Sequence, residues 1–302
     1  MSSNEMRGTN RRDFIQTGAV ATAAALGGCV SAEGQPQTDA LSILKNLQIL
    51  DLSVAIEHDA PGELTPAKIE YLDHESGGES IQSIFDCAPE DLPFSGGHGW
   101  AVENIVTNSH TATHIDAPYH YGATSEGKPA RRIDEVPLEW CFGPGVVLDM
   151  TSKQHGDLIS ATDLETALVE IEYELQPLDI VMIHTGAAER WGTRAFLQQP
   201  GLDRESTLWL VDQGIKMIGI DAWTLDRPFS TMISDYRASR DGRAIWPAHF
   251  AGITKEYCQI EKLANLEKLP RPHGFYVSCL PIKIKGGSGG WCRAVALIPN
   301  PA

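Results

Sequence analysis

The amino-acid sequence predicts an α/β fold, and two observations carry this prediction. Between residues 146 and 221, three apolar runs typical of buried strands alternate with two stretches that have helix signals, as expected for helices packed on a sheet. The chain has 302 residues, 42% of them hydrophobic, which is enough to form a substantial core. We therefore expect one domain over residues 46–302.

The N-terminal part of this domain has one clear strand signal, the apolar run at 47–55. The segment 58–99 is rich in proline, glycine and acidic residues, so we expect it to be irregular. Irregular segments of this length more often form a lid or binding loop than a simple connection. Phe94, His98 and Trp100 near its end would either line a substrate pocket or pin the segment to the core.

The middle of the chain alternates between strand and helix signals. Residues 102–107 predict a strand, and residues 146–149 predict another after a Gly-Pro-Gly break. Ser160 and Asp163 mark the start of a helix. The predicted apolar face of that helix consists of Leu164, Ala167, Leu168 and Ile171.

The second half continues this alternation. We expect a strand at 179–185, a helix at 204–213 that Gly214 ends, and a buried strand at 217–221. The final block predicts two strands, 275–285 and 291–298, joined by the glycine-rich run 286–290. This run is not a phosphate-binding loop, because no Gly-Lys-Ser/Thr follows it and no helix begins after it.

The strongest chemical signal is the motif HTATHIDAPYH at residues 110–120, which holds three of the ten histidines of the chain. One helical turn would bring His110 and His114 to the same face. An extended segment would place His114 and Asp116 on one side, and His120 follows within reach. The spacing therefore indicates a metal site.

The donor types narrow the choice of metal. Imidazole nitrogens combined with a carboxylate oxygen suit zinc or manganese, and the absence of cysteine near the motif argues against a structural thiolate site. The other reading is that these are polar residues of a surface loop, or core histidines held by hydrogen bonds. The density of histidines favours the metal.

A second candidate cluster lies at His249 and Glu261. The spacing of the pair alone is weak evidence. However, Glu261 stands between Ile260 and Leu263 in the apolar part of this segment, where a carboxylate is costly unless it is paired or binds a metal. His184 and Asp221 also end predicted strands. We expect His184 to be structural, and Asp221 either to face a pocket or to close a turn.

The motif at 110–120 resembles the H-x-G-T-H-x-D-x-P-x-H signature of the cyclase family of metal-dependent hydrolases, which includes kynurenine formamidases and isatin hydrolases. The resemblance implies a swivelling β/β/α fold. Ala112 stands where the family has glycine. A positive φ angle there would cost an alanine roughly 1 kcal/mol or more.

The resemblance also implies roles for the candidate residues. It implies one or two Zn²⁺ or Mn²⁺ ions per chain and a homo-oligomer, either dimer or tetramer. Asp116 would bridge the two ions, and His120 would be the catalytic histidine. The implied metal ligands are His110, His114 and Asp116 for the first ion, and His249 and Glu261 for the second.

The function implied is hydrolysis of a small amide, lactam or ester, such as an arylformamide or isatin-like substrate, by a water that the metal activates. His120 would move the proton. The run 286–290 matches Gly-x-Ser-x-Gly in letters, but it is not a nucleophile elbow that would suggest a serine nucleophile, because no helix begins after it. Two alternatives remain open: a lactone or ester hydrolase, and a non-catalytic, exported metal-binding protein of the same fold.

The formal charge of −16 argues against nucleic acid or an anionic membrane surface as a partner. Residues 1–29 are expected to be a twin-arginine signal peptide, because Arg11 and Arg12 precede an uncharged run of small residues. Residues 30–45 would be a linker. Lipidation at Cys29 would anchor the protein to the membrane, whereas cleavage after Ala32 would release it into the periplasm.

The five cysteines beyond the signal form no C-x-x-C pair, which excludes zinc-ribbon and dithiol redox readings. Cys279 and Cys292 flank the predicted final hairpin, and an oxidising compartment would allow them to pair. The alternative is that all five are free and buried.

Overall fold

A mixed nine-stranded sheet forms the centre of the fold in this computed structural model, which describes residues 46–300. The predicted signal peptide, the linker and Cys29 lie outside the described residues. The strands are β1 (Leu47–Asp51), β2 (Lys68–Leu72), β3 (Val102–Val106), β4 (His114–Asp116), β5 (Thr124–Ser125), β6 (Lys128–Pro129), β7 (Phe142–Asp149), β8 (Leu158–Ile159), β9 (Ile180–His184), β10 (Gly201–Leu202), β11 (Met217–Ile220), β12 (Cys258–Glu261), β13 (Phe275–Ser278), β14 (Gly289–Trp291) and β15 (Val295–Pro299).

The strand order in the main sheet is β1-β15-β13-β7-β9-β11-β12-β4-β14. The central strands from β7 to β12 run parallel, and the strands on both sides pair antiparallel. The strands β2 and β3 form a separate antiparallel pair. The helices are α1 (His74–Phe85), α2 (Pro118–Tyr121), α3 (Ala161–Glu170), α4 (Arg204–Asp212), α5 (Phe229–Ser239) and α6 (Pro247–Thr254).

Both faces of the central sheet are buried. Along β9, Val181 and Ile183 belong to a cluster that includes the apolar faces of α3 and α4, whereas Ile180 and Met182 belong to a second cluster on the other face. Because both faces are covered, the parallel strands are continuously apolar. This explains why the sequence signals for β7, β9 and β11 are strong.

Several predicted elements are present with slightly different bounds. The predicted strand at 47–55 ends earlier, at Asp51, and the predicted helix at 204–213 runs from Arg204 to Asp212. The helix after Ser160 begins as predicted, because the Ser160 hydroxyl accepts a hydrogen bond from the Asp163 N–H at 3.2 Å.

The prediction that 58–99 is irregular was wrong, because this segment contains β2 and the twelve-residue helix α1. The Asp73 carboxylate caps α1 by accepting from two backbone N–H groups. Gly77 and Gly78 signal a break in the sequence, but here they allow the helix to approach another backbone segment. A Cβ atom at Gly77 would lie 1.8 Å from the Trp100 carbonyl oxygen.

The final block also differs from its prediction. Glycine residues expected to join two strands begin a strand themselves, because Gly289 and Gly290 pair with Asp116 and Ile115 of β4. The five cysteines in the described part are free: Cys141, Cys258 and Cys279 are buried, and Cys87 and Cys292 are half-buried. Among residues 46–300, no helix is long and apolar enough to cross a membrane.

Candidate metal centre

The strands β4 and β12 bring the two predicted clusters together. They pair antiparallel, so that His114 lies opposite Glu261 and Ile115 lies opposite Ile260. Side chains alternate along a strand, so His114 and Asp116 share a face while Ile115 points into the core. The extended geometry expected for His114 and Asp116 is therefore present.

The loop before β4 is not the helical turn considered for His110 and His114. The Asn108 side chain accepts a hydrogen bond from the His110 N–H at 2.8 Å, which favours a turn over a helix. Ala112 follows with φ of +54°, the left-handed conformation expected from its place in the motif. The turn still directs the His110 ring towards Asp116.

Asp116 lies at the centre of the cluster and is fully buried. Its Oδ1 lies 2.6 Å from His110 Nδ1 and 3.1 Å from His114 Nε2. Its Oδ2 lies 3.5 Å from His249 Nε2 and has no hydrogen-bond partner. Burial alone would raise the pKa of Asp116, but the surrounding imidazoles hold it well below its usual value. The carboxylate is therefore ionised.

His114 presents one nitrogen to the cluster. Its Nδ1–H donates to the Ala112 carbonyl oxygen at 2.8 Å, which leaves Nε2 with a free lone pair in this tautomer. The Nε2 atom is buried and has no hydrogen-bond partner, and it lies 3.6 Å from Glu261 Oε2. A backbone carbonyl that fixes the tautomer in this way is typical of metal-binding histidines.

His249 lies in the first turn of α6, where Asp226 holds it. The Asp226 carboxylate contacts His249 Nδ1 at 2.5 Å and accepts the Ala248 backbone N–H at 2.7 Å, so it caps the helix and orients the ring. His249 Nε2 lies 3.6 Å from Glu261 Oε1. Burial alone would lower the pKa of His249, but its contacts with Asp116 and Asp226 raise it to about 10.

His120 lies in α2 at the side of the cluster. The expected extended conformation before Pro118 is present at Ala117, and α2 follows it. The His120 ring stacks on His110 with 4.0 Å between ring centroids, and its Nε2 lies 4.0 Å from Asp116 Oδ2. Burial and the neighbouring histidines lower the pKa of His120 to about 4. The ring is therefore neutral at pH 7.

The pKa values of the remaining two candidate ligands, Glu261 and His110, are both raised. Burial and the charge of Asp116 raise the pKa of Glu261. Burial lowers the pKa of His110, but the charge and hydrogen bond of Asp116 outweigh this and raise it overall. Two carboxylates and four histidines packed this closely are costly unless protons or cations lie between them.

The donor set fits a metal ion. Two groups have ligand atoms within 4.8 Å of one another: His110 with Asp116 and His120, and His114 with Asp116 and Glu261. Asp116 is common to both groups. The grouping differs from the expected one, because His114 lies with Glu261 and His120 lies with His110. A set of nitrogen and oxygen donors suits Zn²⁺ or Mn²⁺.

Sequence reasoning missed Asp226 and gave no role to Trp246. Trp246 stacks on the His249 ring at 4.1 Å and meets the His120 ring edge at 5.2 Å. Asp226 lies six residues after the end of β11, in a stretch of sequence with no periodic pattern. Only the fold brings it to His249. Asp221 closes a turn, because it accepts from the Thr185 and Gly186 N–H groups. Phe94 is fully exposed, so it neither pins its segment nor lines this centre.

Fold and site together define a mixed α/β protein with a candidate metal centre of histidine and carboxylate ligands. A family model described as "Putative cyclase" matches residues 50–227, which is more than half of the chain. The chain therefore belongs to this cyclase family.

Two relatives show how far the sequence likeness extends. The chain is 30% identical to a kynurenine formamidase of Geobacillus thermodenitrificans over 148 residues, which cover 46% of this chain and 63% of that protein, less than two thirds of its length. It is 26% identical to an isatin hydrolase of Roseibium aggregatum over 225 residues, which cover 68% of this chain and 78% of that protein.

A solved structure shows the same fold. Isatin hydrolase A of Ralstonia solanacearum superposes with a TM-score of 0.67 at 24% identity, covering 88% of this chain and 99% of that one. This likeness confirms the predicted α/β fold class.

Proposed function

We propose that this protein is a metal-dependent hydrolase that cleaves a small amide, lactam or ester carrying an apolar group. One observation carries the proposal: two buried atoms that could bind a metal, His114 Nε2 and Asp116 Oδ2, have no hydrogen-bond partner, and Asp116 Oδ2 lies 4.0 Å from Nε2 of the neutral His120 ring. Buried polar atoms normally have partners, so such atoms indicate a ligand. A neutral imidazole next to them is suited to proton transfer.

Each residue has a role in this proposal. His110, His114, His249 and Glu261 would hold one or two ions together with Asp116, which belongs to both groups of ligand atoms. A bound Zn²⁺ or Mn²⁺ ion would lower the pKa of water and polarise the carbonyl of the substrate. His120 would accept a proton from the attacking water and return it to the leaving nitrogen or oxygen.

An apolar cavity supports a substrate with a hydrophobic part. A cavity of about 320 Å³ lies against Trp246, which itself stacks on His249. The other lining residues are Phe229, Met232, Ile233, Tyr236 and Ile245. Cavities of this size and composition are typical of small-molecule sites. The Trp246 ring thus lines the cavity and also contacts His249 of the candidate metal centre.

The names of the relatives suggest substrates to try first. Kynurenine formamidases and isatin hydrolases are proteins named for an arylformamide and a bicyclic aryl lactam, respectively. Both compounds join a hydrolysable C–N bond to an aromatic ring. An aromatic ring is compatible with the cavity beside Trp246.

The test is a substrate panel on the full chain loaded with Zn²⁺ or Mn²⁺. The panel pairs an arylformamide, an isatin-type lactam and an aryl ester with aliphatic counterparts of equal reactivity. We expect metal-dependent hydrolysis of at least one aryl substrate, lost on chelation and restored by the metal. Metal binding without hydrolysis of any compound would instead support the non-catalytic metal-binding alternative.

We further propose that residues 1–29 direct export by the twin-arginine route. The support is the Arg11-Arg12 pair before an uncharged run of small residues. Replacing both arginines by lysine and fractionating the cells tests the route: the doubly substituted chain should stay in the cytoplasm. Labelling with a palmitate analogue, with Cys29→Ser as control, decides whether the protein is anchored.

A further inference from the structure

A buried ion pair between Lys262 and Glu63 lies next to the candidate metal centre. Lys262 follows Glu261 in the chain, and its ammonium donates to Glu63 Oε1 at 2.9 Å, to Glu63 Oε2 at 2.8 Å and to the His110 carbonyl oxygen at 2.8 Å. The side chains of Lys262 and Glu63 are only 2% and 4% exposed. All three donors of this ammonium group are therefore used.

Glu63 also holds the loop of the HTATHIDAPYH motif. Its Oε1 accepts the Ala112 backbone N–H at 2.8 Å. The backbone of Lys262 contacts the same loop, because its carbonyl oxygen accepts the Thr113 hydroxyl at 2.6 Å. Three segments distant in sequence, around Glu63, the 110–113 loop and Lys262, are thus joined by hydrogen bonds.

The backbone at both joined segments is in an unfavourable conformation. Ala112 has φ of +54° and Lys262 has φ of +60°. Residues with a Cβ atom rarely adopt this region, and they remain there only where the surroundings determine the conformation. Ala112 lies between His110 and His114, and Lys262 lies next to Glu261. The strain therefore lies within two residues of the candidate ligands, in the loop before β4 and just after β12.

Stability alone does not account for this pair. Buried ion pairs are often no more stabilising than apolar side chains of the same size, because both charges lose their hydration. What this pair provides is geometry, because one carboxylate meets the Ala112 N–H and the Lys262 ammonium, and that ammonium meets the His110 carbonyl. An apolar pair would leave the Ala112 N–H and the His110 carbonyl without these partners.

We propose that Glu63 and Lys262 are a positioning pair for the metal centre. They fix the distance between the loop that carries His110 and the strand end that carries Glu261, so that both side chains face Asp116. The inference rests on the proposed function only in that His110 and Glu261 are taken to bind the metal. Neither Glu63 nor Lys262 contacts the reacting atoms.

The test uses Glu63→Gln and the double variant Glu63→Gln/Lys262→Met in the full chain, titrated with Co²⁺. Glutamine keeps an acceptor for the Ala112 N–H but loses the charge, and the double variant leaves no unpaired buried charge. Both should bind Co²⁺ about ten-fold more weakly or worse, the usual effect of removing groups that orient ligands. Their Co²⁺ absorption bands should shift, since the ligand geometry changes.

The control is Asp51→Asn/Arg293→Met, which removes an ion pair at 2.6 Å that contacts none of the candidate ligands. It should keep the wild-type affinity and spectrum. Wild-type affinity and bands in folded Glu63→Gln would overturn the proposal, and a lower Tm with unchanged bands would show a merely structural role. If the wild type binds no metal, this inference and the proposed function both fail. If it binds metal but hydrolyses nothing, only the function fails.

Discussion

His120 differs from two neighbouring histidines of the cluster in its charge state. Its pKa is lowered, whereas the pKa values of His110 and His249 are raised. Burial and the adjacent histidines lower its pKa to about 4, so the ring is neutral at pH 7 and one of its two nitrogens is free to accept a proton. We expect His120→Ala to lower kcat about 100-fold or more, the size of a general acid–base contribution. Metal content, measured by mass spectrometry, should stay near the wild-type value.

The control for this prediction is the exposed His155, whose replacement by alanine should leave kcat unchanged. If His120→Ala instead loses its metal, His120 is a ligand, as its grouping with His110 and Asp116 allows. An unchanged kcat in a metal-loaded variant would show that His120 does not transfer the proton.

Asp226 is expected to act through His249. It contacts His249 Nδ1 and so directs Nε2 towards Asp116 and Glu261. Asp226→Asn keeps the shape but removes the charge, and the loss of such a partner costs about 10–100-fold in metal affinity. Isothermal titration with Zn²⁺ measures this loss.

Helix capping must be separated from ring orientation in this experiment. Asp203 caps α4 through the Ser206 N–H at 2.9 Å and contacts no histidine of the cluster, so Asp203→Asn is the matched control. Equal metal affinity in Asp226→Asn and Asp203→Asn would contradict the role assigned to Asp226.

Individual residues differ in how far the sequence could predict them. His110, His114, Asp116 and His120 were found because they lie in one short motif with recognisable spacing. Asp226, Glu63 and Lys262 carry no such spacing. Their contacts form only when the sheet brings segments 23 to 199 positions apart in sequence into contact.

At the level of elements, the strands buried on both faces were predicted well because continuous apolar runs of that length leave few alternatives. Elements that contain glycine were not. Gly77 and Gly78 signal a break, but α1 needs them for close contact with the backbone near Trp100. The strand β14 has almost no apolar side chains, and its pairing with β4 defines it.

The position of β14 gives a prediction for Gly289. A Cβ atom there would lie 2.7 Å from His110 Cε1 and 2.9 Å from the Ile115 carbonyl oxygen, so His110 or the strand must move. We expect Gly289→Ala to destabilise the protein by about 1–3 kcal/mol, the usual cost of overpacking. It should also weaken metal binding, since His110 contacts Asp116 directly. Urea unfolding and metal titration measure the two effects.

Gly242 provides the matched control for this substitution. No atom lies within 4 Å of a Cβ built at Gly242, so Gly242→Ala should leave both the stability and the metal affinity near wild-type values. If Gly289→Ala binds metal as tightly as Gly242→Ala does, the contact between β14 and His110 does not hold the ligand in place.

At the scale of the whole molecule, the candidate centre joins parts of the fold that are far apart in sequence. Its side chains come from the 110–113 loop, β4, α2, α6 and β12. A ligand that binds only the folded state stabilises it in proportion to the logarithm of its concentration. A metal bound here would therefore stabilise the folded state of the whole domain, and its removal should lower Tm.

The size of this metal effect should depend on pH. Contacts with Asp116 and Asp226 raise the pKa of His249 to about 10, above the ordinary 6.5, so without metal the ring is protonated at pH 7. That proton stabilises the metal-free fold fully below pH 6.5, and its contribution is lost as pH rises through about 10. A metal must displace the Nε2 proton, so its affinity should rise by about ten-fold per pH unit.

The difference in Tm between metal-loaded and chelated protein should therefore grow from pH 6 to pH 8 at a fixed free concentration of metal. Differential scanning calorimetry at pH 6, 7 and 8 measures it, and His249→Gln, which carries no titrating proton, should show a weaker dependence on pH. Zinc binding should also release at least one proton per ion, detectable by titration in buffers of different ionisation enthalpy. A Tm difference that is constant between pH 6 and pH 8, together with no proton release, would mean that the metal does not compete for His249 Nε2.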